Sequence, residues 1–146
     1  MKHTKRTTIG IDLGDKSQET CTLNHEGEIT ERSMLLNNTG SLIAFNKANR
    51  HAVLIMEAGT PSPWISRLFQ EREHEIIVAN PPKLRAIYES DNKNDQRDAE
   101  MLARIGRFDR KLLYGIEHKS ELHQCQLSDI HTRDALVAAR VKRKDP

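Results

Sequence analysis

Cysteine is almost missing from this chain of 146 residues, and the two thiols present, Cys21 and Cys125, fit no metal-ligand spacing and build no disulfide framework. Both read as reduced bystanders. No run of about 20 apolar residues occurs, so nothing in the sequence is suited to span a membrane. The basic start MKHTKR has no apolar signal core behind it, which points to a cytoplasmic protein. Aromatic residues are scarce, with one Trp, two Tyr and three Phe, and Trp64 and Tyr88 read as packing residues rather than base-stacking platforms. The seven histidines (His3, His25, His51, His74, His118, His123, His131) show no ligand spacing such as HxxxH and read as surface residues. An excess of one charge is lacking too: 23 Lys and Arg against 21 Asp and Glu leave a net +2, which permits nucleic-acid binding without announcing it. There is no internal repeat. The length fits one compact domain with a sizeable core.

What is present is an ordered series of elements. Apolar and β-branched runs predict strands near 7–13, 18–24 and 28–36, the latter two joined by a turn at Asn24 to Gly27. Asn38-Thr39 starts a helix reaching about Asn49, a buried strand follows at 52–57, and a helix runs from Pro61 to Glu71. His74 to Ala79 reads as another strand, Pro81-Pro82 as the start of a short helix, and 95–107 as a longer one. Lys111 to Ile116 is strand-like. A last helix is expected over 119–144, with Leu127, Ile130, Val137 and Val141 near heptad spacing and Asp134 interrupting the stripe.

Four acids stand in unusual places. Asp12, in TTIGIDLGDKS, and Glu57, in VLIMEAGT, end β-like runs. Ile9, Ile11 and Leu13 share one strand face, leaving Asp12 on the other with Thr8 and Gly10. Asp95 and Asp98 share a helical stripe with Leu102 and Ile105, while Arg97, Glu100, Arg104 and Arg107 lie opposite. Burying two like-charged carboxylates is costly unless cations or hydrogen bonds compensate. Capping by Asp95 is the plain alternative and leaves Asp98 unexplained. From the residues alone, capping and metal binding stay equally open. Strand-end acids converging with a helical acid pair are what two-metal phosphoryl transfer needs.

Three strands in a meander followed by alternating strands and helices is the order of an RNase H-like sheet. With GIDLGDKS, VLIMEAGT, VANPPKLRAIYES and KNDQRDAEMLARIG in that order, the sequence resembles the N-terminal domain of the DEDD-type transposases of bacterial insertion elements. That RuvC-like group includes the pilin-gene-inverting recombinases. The last segment resembles the family signature Lys-(Thr/Ser)-Asp-x-x-Asp-Ala, here Lys93-Asn94-Asp95-Gln96-Arg97-Asp98-Ala99. Asn94 replaces the usual small hydroxyl residue. GIDLG alone would be weak; the four segments together cover roughly residues 7 to 140.

The resemblance implies an α/β fold, an RNase H/RuvC-like mixed sheet flanked by helices with a C-terminal extended helix. It implies that Asp12, Glu57, Asp95 and Asp98 form an acidic tetrad holding Mg²⁺ or Mn²⁺, and that DNA is cleaved and transferred. Lys93 would contact phosphate, with a solvated loop lysine as the equal alternative; apart from the resemblance, the tail residues Arg140, Lys142, Arg143 and Lys144 read as a solvated helix end ahead of a phosphate-contacting patch. Thr60 and Ser17 are candidates to line the crevice but better suit turn and cap positions. Residues 1–117 are expected to be the catalytic-type domain and 118–146 a helical extension toward a further, serine-bearing domain. The chain then reads as incomplete for recombination, whether shortened, decayed or naturally short. Some relatives use a structured guide RNA, and the full-length protein is expected to be a homo-oligomer. Two alternatives are a non-catalytic nucleic-acid-binding or dimerisation module and an actin/hexokinase-type ATPase. The second needs a duplicated lobe and an adenosine-binding glycine motif that do not fit this length.

Overall fold

The computed structural model describes residues 6–72, 74–87, 94–118 and 136, apart from the side chain of Asp95. By its internal contacts the chain divides into two compact units, Met1–Ile116 and Glu117–Pro146. The expected helix over 119–144, and with it Arg140, Lys142, Arg143 and Lys144, lies outside the described residues apart from Leu136, as do Lys93 and Cys125.

The first unit is a five-stranded mixed sheet in the order β3-β2-β1-β4-β5. Strands β1 (Thr8–Leu13), β2 (Ser17–Leu23) and β3 (Ile29–Leu36) form the antiparallel meander, and β4 (Val53–Glu57) and β5 (Glu75–Ala79) join parallel to β1. The β2–β3 turn is held by Asn24, whose Oδ1 accepts from the amides of Glu26 (2.9 Å) and Glu28 (3.0 Å), while Gly27 takes φ +90°. Ser17, expected at a turn or cap, is the first residue of β2.

Alternation along the strands sends apolar side chains to two cores. On one face Ile9, Ile11, Leu54, Met56 and Val78 pack with Leu42 of α1 (Thr39–Ala48) and with Ile65 and Phe69 of α2 (Ser62–Gln70). On the other, Val53, Ile55 and Ala79 meet Leu84 of α3 (Pro81–Ile87) and Leu102 and Ile105 of α4 (Asp95–Phe108). Cys21 and Leu23 pack on Ala99 and Ala103 of the same helix. Burial holds the Cys21 thiol pKa above its ordinary value.

Two local expectations are corrected. Residues Arg110–Leu113 form a 3-10 turn, not a strand, because the Asp109 carboxylate accepts from the Lys111 amide (3.0 Å) and Tyr114 enters the left-handed region at φ 46°. Leu113 drops into the core from that turn, and Lys83 Nζ sits 5.5 Å from the Tyr114 ring centroid. His74 is buried, not superficial: its Nε2 donates to the Asn46 carbonyl at 3.0 Å and its ring lies against Phe69. Trp64, by contrast, is 37% exposed.

Candidate functional site

The site is built by the way α4 crosses the sheet. Gly10 lies beneath it so closely that a Cβ there would stand 1.9 Å from the Ala99 carbonyl oxygen and 2.7 Å from the Ala103 nitrogen. At the far end of the helix, Arg107 donates to the His25 carbonyl in the β2–β3 turn (2.7 Å), next to Leu23, which pairs with Thr8. Thus α4 runs antiparallel to β1, its N-terminus toward the strand's C-terminal end. Two strand residues advance about 6.6 Å and four helical residues about 6 Å. The backbone of Asp95 therefore stands at about the level of Asp12.

The strands supply the other acids. Parallel pairing runs from Thr8 opposite Val53 to Ile11 opposite Met56, so Asp12 and Glu57 are the next residues on two adjoining strands. Neighbouring strands lie about 4.8 Å apart. By alternation, Asp12 shares the face of Gly10 and Glu57 that of Val53 and Ile55, and both faces are covered by α4. Asp12, Glu57 and Asp98 are all half-buried, and each makes polar or electrostatic contacts. Asp98 differs in this from its exposed neighbours Gln96 and Arg97.

The helix start is not capped by Asp95. Asn94 is the cap, in extended conformation, with its Oδ1 accepting from the Gln96 amide (3.0 Å) and its carbonyl from Arg97 (2.8 Å) and Asp98 (3.0 Å). This explains the departure from the hydroxyl residue of the signature, since Asn, Ser and Thr cap by the same chemistry. On the outer side of α4, Glu100 bridges Arg104 (2.7 Å) and Arg32 of β3, and these guanidiniums, Arg104 first, hold its carboxyl below the usual range. Arg32 also donates to the Gln96 carbonyl at 3.2 Å. The clamp fixes the first turns of α4 to the antiparallel edge of the sheet. The expected acid stripe did not reveal this clamp; the opposite charges of Glu100 and Arg104 at i, i+4 were its signal.

All the candidate donors are carboxylate oxygens, the ligand type preferred by Mg²⁺ and Mn²⁺. Their chemistry fits a hard divalent ion. Among the described residues, however, no three His, Cys, Asp or Glu side chains are grouped closely enough to hold one ion. The Asp95 side chain lies outside that set, as does Lys93. Thr60 is exposed in the turn after β4. No helix among the described residues is long and apolar enough to cross a membrane.

No curated protein sequence matches the chain. Among solved structures it is similar to T. thermophilus RuvC in complex with Holliday junction substrate, with a TM-score of 0.54 at 10% identity, covering 73% of this chain and 96% of that one. A second structure, Thermus thermophilus RuvC, gives a TM-score of 0.48 at 12% identity, with coverage of 70% and 96%. The first likeness is one of fold, and it agrees with the RNase H-like strand order. The model of a transposase family, the DEDD transposases of the IS110 type, matches residues 9–145, and the chain belongs to that family.

Proposed function

We propose that this chain is the catalytic domain of a DNA transposase that cleaves and transfers DNA strands with the help of Mg²⁺ or Mn²⁺. The observation that supports the reading is the meeting of the C-terminal ends of β1 and β4, which carry Asp12 and Glu57, with the N-terminal half of α4, which carries Asp98. In this reading those three and Asp95 hold the metal. Bound there, divalent ions supply charge stabilisation to the oxygens of a phosphodiester in transfer. The protein's own part is to fix the carboxylates: two on rigid parallel strands, two on a helix locked by its cap and by Glu100. Lys93 and the basic tail would hold the DNA backbone, and a serine from a further domain would complete strand transfer.

Binding of a fluorescent duplex oligonucleotide, measured with and without Mg²⁺, tests this. The native chain should bind about tenfold more tightly with Mg²⁺, a coupling of ordinary size, and Asp12→Asn should lose the difference. A native chain that binds DNA with no metal dependence would overturn the reading and leave the non-catalytic binding module in its place.

A further inference from the structure

Among the described residues, Tyr114 alone, glycines aside, takes a left-handed backbone, with φ 46° and ψ 54°. The turn it closes asks only for a residue that tolerates this conformation, which glycine does without steric cost. A bulky side chain there is strained, and strain of this kind gathers at functional sites. The ring is also left out of the core. Tyr114 is 53% exposed, and its one aromatic or polar side-chain contact among the described residues is Lys83 Nζ, 5.5 Å from the ring centroid. Lys83 is itself exposed on α3.

This pair stands at the acid-bearing end of the sheet. Ala79, the last residue of β5, pairs with Glu57, and the next residue, Asn80, donates its amide to the Leu113 carbonyl at 3.0 Å. Ile116 donates to the Val78 carbonyl at 2.8 Å, so residues 113–116 run along the outer edge of β5. Two strand spacings, about 10 Å, therefore separate the backbone of Glu57 from the segment that carries Tyr114. Helix α3 packs on the same sheet face as α4, the face of Asp12 and Glu57. Ten ångströms is roughly three base steps of a stacked strand.

Isolated exposed apolar side chains are ordinary, and Phe108 is more exposed, at 68%. Phe108, however, ends α4, at the tip of the helix remote from the acids, and its backbone is helical. A cation–π contact would account for Lys83 beside the ring, but for neither the left-handed backbone nor the position. An open aromatic face with an ammonium beside it suits a nucleotide, the ring taking the base and the cation its phosphate.

We infer that Tyr114 and Lys83 form a stacking platform for an unpaired base of the strand held at the acids. Bases inside a continuous duplex are stacked on their neighbours and closed to such a ring. The substrate of this site therefore has an unstacked nucleotide within about three positions of the phosphate being cut, a selection that phosphate contacts alone would not make. The platform stands on these residues; that its base belongs to the strand being cut rests on the transposase reading.

The test is a titration of the 146-residue chain, isotopically labelled in its two tyrosine rings, with Tyr114→Phe to assign the resonances. A short single-stranded DNA should move the Tyr114 ring protons upfield, and a fully paired duplex of the same sequence should not. Tyr114→Gly should weaken single-strand binding roughly tenfold and duplex binding far less. Its melting temperature should be unchanged or raised, because glycine relieves the backbone. Tyr114→Phe, which keeps the ring, should bind as the native chain does. Lys83→Gln should lower the salt dependence of single-strand binding by about one phosphate contact, which Tyr114→Gly should not. A ring unmoved by single strand, or a Tyr114→Gly chain that melts lower and binds single strand normally, would make Tyr114 a packing residue and overturn the platform. Equal weakening for single strand and duplex would overturn the selection of an unpaired base. A ring that moves in a chain lacking the Mg²⁺ response that Asp12→Asn removes would uphold the platform and sink the catalytic reading.

Discussion

Gly10 has no side chain, and the backbone of α4 occupies the space one would need. Gly10→Ala must therefore push the helix off β1, an overpacking expected to cost roughly 2–3 kcal/mol. Denaturant unfolding measures this, and a loss under about 0.5 kcal/mol would show that the helix does not seat there. The sequence placed Gly10 beside Asp12 on one strand face, but the helix pressing on it comes from residues far along the chain. Asn94 teaches the complementary lesson. In sequence it is a departure from a signature, and capping by Asp95 is one of two open readings; the Oδ1 of Asn94 makes the cap. Asn94→Ala should cost about 1 kcal/mol and Asn94→Ser should restore most of it, again by unfolding. A loss not rescued by Ser would mean that the amide serves something other than the helix start.

Among the elements, α4 carries the greatest functional weight. Its inner face was legible from periodicity: Leu102 and Ile105 are buried as that stripe requires. Its outer clamp depends on Arg32, a residue of β3 that no local pattern could connect to Glu100. Because the guanidiniums depress the Glu100 pKa, the clamp stabilises the fold above the unfolded value of about 4.3. The stabilisation disappears as pH falls through the lower, folded value. Glu100→Gln should thus lower stability at pH 7 by at most about 1 kcal/mol, given the partial exposure of the group. The gap from the native protein should narrow steadily as pH falls below the unfolded value, through the lower, folded one. Melting curves across an acid titration check this, and a gap that does not change with pH would contradict the ionic account. The segment Lys111 to Ile116 reads as a strand because Leu112, Leu113, Tyr114 and Ile116 have strand-like composition. The Asp109 cap and the left-handed Tyr114 decide otherwise.

At the scale of the molecule, the positions of the five strands along the chain followed from hydrophobic runs and turn residues, and the RNase H-like sheet from their succession with the helices. His74 was invisible to that reading: a lone histidine gives no spacing, and its burial comes from contacts with the Asn46 carbonyl of α1 and with Phe69 of α2. The acids were legible as residues, while the position of the α4 N-terminus beside the ends of β1 and β4 depends on the antiparallel course of α4 over β1. The central claim is that they hold a divalent metal. Calorimetric titration of Mg²⁺ or Mn²⁺ into the native chain and into Asp95→Asn/Asp98→Asn tests it most directly. The account predicts saturable binding by the native chain that the double variant loses. Equal behaviour of the two proteins, binding or not, would contradict it.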